Sequence, residues 1–251
     1  MKKGCLPEKD KGSIKLSQKV RITDPCYDMN TWCAGSAEIK PGIYLCREYT
    51  YNSKFTYNGK TTDDVRCMAL EIVHKDCTGP SYTKHLPIDV GVDSGQAGFF
   101  DEPYFRKIST KEEFCKKWYN RVCRLTYKRP LFIYGDSPDM IFNLLQHYSK
   151  RNQIDTSLVT MKYAKKLYKD IQTKGEKWIG GGFQSGTIDN KGFVSSSGYG
   201  DGGYDCFVSE NAQGETDALL LVFIFPDLPD RNMPAVFKEP VKWAKRNGYY
   251  S

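Results

Sequence analysis

The sequence predicts an α+β protein, a mostly antiparallel β-sheet or sandwich with a helical insertion in the middle of the chain. Two observations predict this class. Apolar and polar residues alternate near both ends of the chain, as in half-buried strands, whereas between residues 106 and 177 the apolar residues recur every three or four positions, as in helices. Strands and helices that occur in separate runs are typical of antiparallel sheets. We therefore predict one domain over 1–251, with 106–177 as a basic, mainly helical insertion.

The strand pattern begins near the N-terminus. Gln18–Thr23 reads as a short strand that ends at Asp24, because the residue before a proline is pushed into extended geometry and Pro25 follows. Ala37–Tyr51 and Val65–His74 read as two further strands, with Asn58-Gly59 between them as a hairpin tip. An antiparallel sheet is expected to begin here.

Two later strand patterns are interrupted by polar and small residues. The first interruption follows Val92 and contains Asp93, Ser94 and Gln96. The second lies between Phe193 and Val208 and reads Ser-Ser-Ser-Gly-Tyr-Gly-Asp-Gly-Gly-Tyr, with Asp201 at its centre. Glycines at such positions allow positive φ or close approach of another group. Two polar breaks in apolar strands suggest one shared site.

The middle of the chain is predicted to be helical and basic. Thr110 and Glu113 have capping-box spacing, Ser137 precedes a proline at a helix start, and Ser157–Ile171 carries an apolar stripe opposite lysines. Residues 106–177 contain 17 Lys and Arg against 7 Asp and Glu. Such a basic segment is typical of nucleic-acid binding, for which Thr110 to Ile171 would be the binding region. Lysine-rich helix faces that are simply exposed to solvent have the same composition.

The C-terminal part returns to strands. Tyr204–Ser209 and Thr216–Phe225 form a predicted hairpin, and the second strand is apolar on both faces, which favours a central place in the sheet. Beyond Pro226 the prolines at 229, 234 and 240 predict that 226–251 is an irregular tail.

The longest apolar run, Ala218 to Pro226, is far shorter than the ~20 residues of a membrane helix, so we expect no membrane partner. Nine cysteines without a repeated spacing favour a reducing compartment, and we expect a cytoplasmic protein. The sequence leaves the oligomeric state open.

Three aspartates beside turns or strand breaks, Asp24, Asp93 and Asp201, are candidate ligands for a divalent cation. Aspartate next to glycine is also an ordinary turn residue. No zinc-binding spacing is present, and His74, His85 and His147 stand alone. If the protein is a metal-dependent hydrolase, Asp93 and Asp201 are the candidate catalytic residues, as metal ligands or as general acid and base.

The first functional hypothesis is a binding module for a small polar or anionic ligand, with a nucleotide as one candidate. Ser94, Gln96 and Ser197 offer hydrogen-bonding groups, and Asp201 accepts hydrogen bonds from hydroxyl or amino groups. Tyr199 and Tyr204 offer stacking faces, although core aromatics would look the same. The ligand-binding candidates are therefore Asp24, Asp93, Ser94, Gln96, Ser197, Tyr199, Asp201 and Tyr204.

Three stretches carry a resemblance to a known family: Thr23–Tyr27, Val92–Gly98 and Ser196–Tyr204. In this order they resemble an uncharacterised family of bacterial and phage proteins, with Asp-Pro-Cys-Tyr, Val-Asp-Ser-Gly and Gly-Tyr-Gly-Asp-Gly motifs. The resemblance implies that Asp93, Ser94, Gln96, Asp201 and Tyr204 form a linked set in a bacterial or phage protein. It implies no reaction, because the family has no assigned function.

Overall fold

The structure is a computed structural model. It describes residues 3–25, 27, 31–87, 89–93, 95–105, 185–188, 190–226 and 232–249, and in the middle of the chain residues 139, 142, 143, 146, 160–162, 164 and 165. The chain divides into two compact units, one made of 1–105 with 183–251 and the other of 106–182. All strands and helices with defined bounds belong to the first unit.

The larger sheet of the first unit has eight antiparallel strands. A continuous path runs β1-β5-β6-β13-β12-β7, while β2 pairs with β5 and β8 pairs with β12. The strands are β1 Gly4–Cys5, β2 Lys9–Leu16, β5 Gly42–Tyr57, β6 Lys60–His74, β7 Lys84–His85, β8 Val90–Val92, β12 Gly202–Glu210 and β13 Thr216–Val222. The tip between β5 and β6 is the predicted Asn58-Gly59 turn, with φ of 48° and 73°.

The smaller sheet has five antiparallel strands in the order β10-β11-β9-β3-β4. They are β3 Lys19–Thr23, β4 Gly35–Glu38, β9 Gln96–Asp101, β10 Ser185–Ile188 and β11 Gly192–Ser196. The strand pattern that is interrupted after Val92 is divided between the two sheets, because β8 belongs to the larger sheet and β9 to the smaller. The first polar break is therefore the crossing between the sheets.

Strand β13 shows how the layers pack. Leu219 and Leu221 join the core that also contains Phe99 and Phe193 of the smaller sheet, so this core lies between the two sheets. Leu220, from the opposite face of β13, joins a second core on the other side of the larger sheet. Full burial of a leucine side chain stabilises a fold by ~1.5–3 kcal/mol. The prediction that this strand is apolar on both faces and central is confirmed, since β13 lies between β6 and β12.

The second core is covered by the C-terminal segment. A 3-10 turn at Ala235–Phe237 leads into α1, Lys238–Arg246, which buries Val241 and Ala244. The prediction of an irregular tail over 226–251 is wrong here. Pro240 does not break α1 because it lies in the first turn, where a backbone N–H has no helical partner. Lys245 and Arg246 in the last turn complement the helix dipole.

The predicted α+β class is wrong as well. The described chain is mainly β, and α1 at the C-terminus is its one α-helix with defined bounds. Among the described residues, no helix with defined bounds lies in the middle of the chain, where the sequence predicts a helical insertion. The three helices predicted between Thr110 and Ile171 lie outside the described residues, apart from isolated positions. Within the described part, no helix is long and apolar enough to cross a membrane.

Candidate functional site

The two glycine-rich breaks lie side by side. Strand β8 pairs with the start of β12 through Val92 and Gly202, and through Gly91 and Gly203. The backbone N–H of Ser197 donates to the carbonyl of Gly95 at 2.9 Å. We call Asp93, Gly95 and Ser197–Asp201 the junction.

Partly buried hydrogen bonds hold the second break in one conformation. Ser197 is fully buried, and its hydroxyl donates to the Gly200 carbonyl at 2.7 Å. The Tyr204 hydroxyl lies 3.0 Å from the Ser197 carbonyl and 2.6 Å from the Gly200 carbonyl, and donates towards both. Gly198 and Gly200 have φ of 52° and 117°, in the region that favours glycine. In this turn Ser197 and Tyr204 support the backbone.

The first break is anchored by Asp24 and Tyr27. Asp24 is fully buried, and its Oδ2 accepts the backbone N–H of Asp93 at 2.9 Å. The pKa of Tyr27 lies well above its ordinary value because of burial and because its hydroxyl is hydrogen bonded to the side chains of Asp93 and Cys33. The loop after β3 is thereby tied to the junction. Ser94, a predicted hydrogen-bonding residue, lies outside the described residues.

Gln96, the first residue of β9, is paired with Ser196 in the register of the sheet and is 1% exposed. Its Oε1 accepts no hydrogen bond from the described residues. A buried acceptor without a partner costs about 1–3 kcal/mol. Gln96 therefore has a side-chain oxygen beside the junction that can still accept a hydrogen bond.

The solvent-facing side of the junction carries Tyr199, Asp201 and Arg66. Tyr199 is 63% exposed, and the Arg66 guanidinium lies 5.5 Å from the centre of its ring. Arg66 also forms an ion pair with Asp64 at 2.8 Å and approaches the Gly198 carbonyl at 3.4 Å. Asp201 is exposed. A flat ring and a cation are thus in contact, and an exposed carboxylate lies two residues further along the same turn.

The three aspartates predicted as metal ligands do not form one group of ligand atoms in the described part of the chain. Asp24 is joined to the backbone of Asp93, whereas no described contact joins Asp93 to Asp201. The sequence reasoning missed Arg66, Tyr27 and Cys33. Arg66 had no signal of its own because it lies within a regular strand, but Tyr27 belongs to the Asp-Pro-Cys-Tyr turn. The proposed nucleic-acid region, Thr110 to Ile171, lies almost wholly outside the described residues.

The fold and the junction define a class of mainly-β sandwich. In this class two glycine-rich breaks, each at a point where the chain crosses between the two sheets, are joined by backbone hydrogen bonds. The chain belongs to the family described as protein of unknown function (DUF4241), whose model matches residues 88–221, more than half of the chain. The match includes both breaks, while the Asp24 turn precedes it. No curated protein and no solved structure matches this chain.

Proposed function

We propose that this protein binds a small polar or anionic ligand, such as a nucleotide, at the junction. One observation carries the proposal: the exposed Tyr199 ring, Asp201 and the Arg66 guanidinium are grouped at one turn. That turn is held by the hydrogen bonds of the Ser197 and Tyr204 hydroxyls. Side chains on a preorganised backbone bind at a lower entropic cost than side chains on a free loop.

Each exposed group has a role in this proposal. Tyr199 stacks on a planar ring of the ligand. Asp201 accepts hydrogen bonds from hydroxyl or amino groups. Arg66 binds a phosphate or carboxylate of the ligand, and this new ion pair replaces the one that Arg66 forms with Asp64. Asp93 is held in place by its hydrogen bond with Tyr27.

The charge at the junction favours ligands with hydrogen-bond donors. Asp64, Asp93 and Asp201 are acidic, and Arg66 is the basic side chain that contacts the turn among the described residues. A ligand with several hydroxyl or amino groups and at most one anionic group suits this balance best. A nucleoside monophosphate has this composition.

We infer that the protein is located in a reducing compartment, and we propose the cytoplasm of a bacterium or of a phage-infected cell. The described cysteines support it, since Cys33, Cys46, Cys67, Cys77 and Cys206 form no disulfides. Disulfides are rare where thiols are kept reduced. Mass analysis of protein from its native host, with thiols alkylated before lysis, tests this: disulfide-linked peptides would contradict it.

The test of binding combines native mass spectrometry with saturation-transfer NMR, using adenosine and adenosine monophosphate as probes. We expect Tyr199→Ala to weaken binding about tenfold, because stacking on an aromatic ring contributes about 1–3 kcal/mol per base. Tyr57→Ala is the matched control, since Tyr57 is 67% exposed but lies at the tip of the β5–β6 hairpin. No bound mass and no saturation transfer, or equal losses in both variants, would contradict the proposal.

A further inference from the structure

A second polar cluster lies on the larger sheet, apart from the groups assigned to ligand binding. His85 of β7 is opposite Phe207 of β12, and its Nε2 is 2.8 Å from Oδ1 of Asp205. Asp89 lies just before β8. One ligand atom from each of His85, Asp89 and Asp205 lies within 4.8 Å of the others. We call these three residues the His85 cluster.

Aromatic rings fix the imidazole of this cluster. The ring of His85 stacks on Trp243 of α1 at a centroid distance of 4.2 Å and an interplanar angle of 15°. Phe207 contacts the same imidazole edge-on at 5.2 Å. A ring held between two aromatic side chains has few available rotamers. The orientation of Nε2 towards Asp205 is therefore preorganised.

Asp205 is the buried member of the cluster and Asp89 the exposed member. The side chain of Asp205 is 5% exposed, and its carboxylate is hydrogen bonded to His85 and Tyr249. Asp89 is exposed and forms no hydrogen bond or ion pair with the described residues. The cluster thus has a rigid buried side and a carboxylate that can move on the solvent side.

Gly203 leaves room for the Asp89 carboxylate. A Cβ atom at position 203 would lie 3.5 Å from Cβ and 3.9 Å from Oδ2 of Asp89. A methyl group at this position would already be in van der Waals contact with Asp89. Gly203 belongs to the second glycine-rich break, so this part of the motif shapes the His85 cluster.

The other described pair of histidine and aspartate has a different electrostatic setting. Nδ1 of His74 is 3.7 Å from Asp76, and the Asp76 carboxylate is also paired with Lys75 at 3.0 Å and Lys40 at 3.7 Å. The carboxylates of the His85 cluster have no lysine or arginine partner among the described residues, and the adjacent Lys84 is paired with Glu210. The His85 cluster therefore has two carboxylates and a single imidazole to balance them.

We propose that His85, Asp89 and Asp205 bind a first-row divalent transition-metal cation. Imidazole nitrogen combined with carboxylate oxygen suits cations such as Mn²⁺, Fe²⁺, Co²⁺ and Zn²⁺. With metal–ligand bonds of about 2.1 Å, adjacent ligand atoms of an octahedral site lie about 3 Å apart. Nε2 of His85 and Oδ1 of Asp205 are already near this separation, and rotation of the exposed Asp89 side chain completes the set.

Three protein ligands leave coordination positions for water or for a ligand. Gly203 and Asp205 belong to β12, which begins at the residue after the junction residue Asp201, so the metal site lies close to the ligand site along the chain. The metal proposal rests only on the His85 cluster. It stands whether or not the junction binds a nucleotide.

The test is a titration of the metal-stripped, full-length protein with Co²⁺, followed by calorimetry and visible absorption. We expect one Co²⁺ per chain at this site and a spectrum without the intense near-ultraviolet band that thiolate ligands add. Asp89→Asn should weaken binding at least about tenfold, a loss typical of damaged metal sites. Because Asp89 is exposed, this variant should fold, which circular dichroism verifies.

Asp76→Asn is the matched control, because it removes the carboxylate of the other His–Asp pair. Its affinity for Co²⁺ should equal that of the wild type. Tyr199→Ala should also leave Co²⁺ binding unchanged, which separates this site from the junction. The proposal is overturned by a chain that binds no Co²⁺, by a thiolate spectrum, or by equal affinities of the wild type and Asp89→Asn.

Discussion

The backbone N–H of Ser197 donates to the carbonyl of Gly95 at 2.9 Å and joins two segments that are 102 residues apart in sequence. Through this bond and the adjacent β8–β12 pairing, the loop that crosses between the sheets is fastened to the turn that precedes β12. The geometry of the proposed ligand site therefore depends on these backbone contacts as well as on the Ser197 and Tyr204 hydroxyls. Substitutions that disturb the backbone should affect stability and binding together.

Gly198→Ala tests the tightness of the turn. Gly198 has φ of 52°, and an added Cβ would lie 3.0 Å from Cγ1 of Ile224 and 3.1 Å from Cβ of Phe223. We expect the free energy of unfolding in urea to fall by about 2–4 kcal/mol, from the unfavourable φ and from crowding. The control is Gly214→Ala, with φ of 79° and no neighbour within 4 Å, which should cost about 1 kcal/mol. Equal losses in both variants would show that crowding is unimportant.

Tyr204→Phe removes the hydroxyl that donates towards the Ser197 and Gly200 carbonyls. The ring should keep its edge-on contact with Phe223 at 5.1 Å. We expect a loss of about 1–2 kcal/mol in urea unfolding, because the Ser197 and Gly200 carbonyls lose a donor. Tyr199→Phe, at an exposed ring, should change stability by less than about 0.5 kcal/mol. A neutral Tyr204→Phe would mean that the turn is held without this hydroxyl.

Tyr82→Phe tests a buried carboxylate elsewhere in the larger sheet. The fully buried Glu71 accepts hydrogen bonds from Tyr82 at 2.6 Å and from Tyr49 at 2.8 Å. Burial, together with the Glu71 charge, raises the pKa of Tyr82 well above its ordinary value, so Tyr82 stays a donor. Removing this donor should cost about 2 kcal/mol in thermal or urea unfolding. In the matched control, Tyr57→Phe at an exposed site should be neutral.

Glu102→Gln tests a pH-dependent contribution to stability. Burial raises the pKa of Glu102, but hydrogen bonds from Ser36 and Lys19 outweigh burial, so its pKa lies below the ordinary value. A carboxyl whose pKa is lowered by folding stabilises the protein above its unfolded pKa, and this contribution is lost as the pH falls through the folded pKa. We expect Glu102→Gln to cost about 1 kcal/mol at pH 7 and progressively less below about pH 4.

The measurement is urea unfolding of both proteins at several pH values between 3 and 7. Glu38→Gln serves as the control, since Glu38 is an exposed residue of β4, and should give a small difference at every pH. A cost of Glu102→Gln that is independent of pH would contradict an origin in ionisation.

Much of the β structure could be predicted from local patterns. Alternation located β3, β6 and the β12–β13 hairpin, and Asn58-Gly59 located the tip between β5 and β6. The short or polar strands β1, β2 and β7 were not predicted, because their sequences resemble those of loops and their pairing depends on neighbouring strands. The C-terminal helix was not predicted either, because a proline in the first turn of a helix cannot be distinguished in sequence from a helix breaker.

The candidate site divides in the same way. Sequence pointed to Tyr199 and Asp201 as chemically distinctive residues between glycines, and the structure places both at the surface of one turn. It gave no indication of Arg66, whose position over Tyr199 depends on the path of β6. His85 looked like an isolated histidine because Asp205, its partner, is 120 residues away.

Local sequence patterns are sufficient to predict where strands alternate, where glycines permit turns, and which polar residues interrupt apolar strands, because each of these properties depends on neighbouring residues. The contact between the two breaks and the meeting of His85, Asp89 and Asp205 depend instead on long-range strand pairing. Pairing in a sheet uses backbone groups that are common to all residues. Strand order is therefore selected by the burial of whole faces, here by β13 between two cores, and by no local signal.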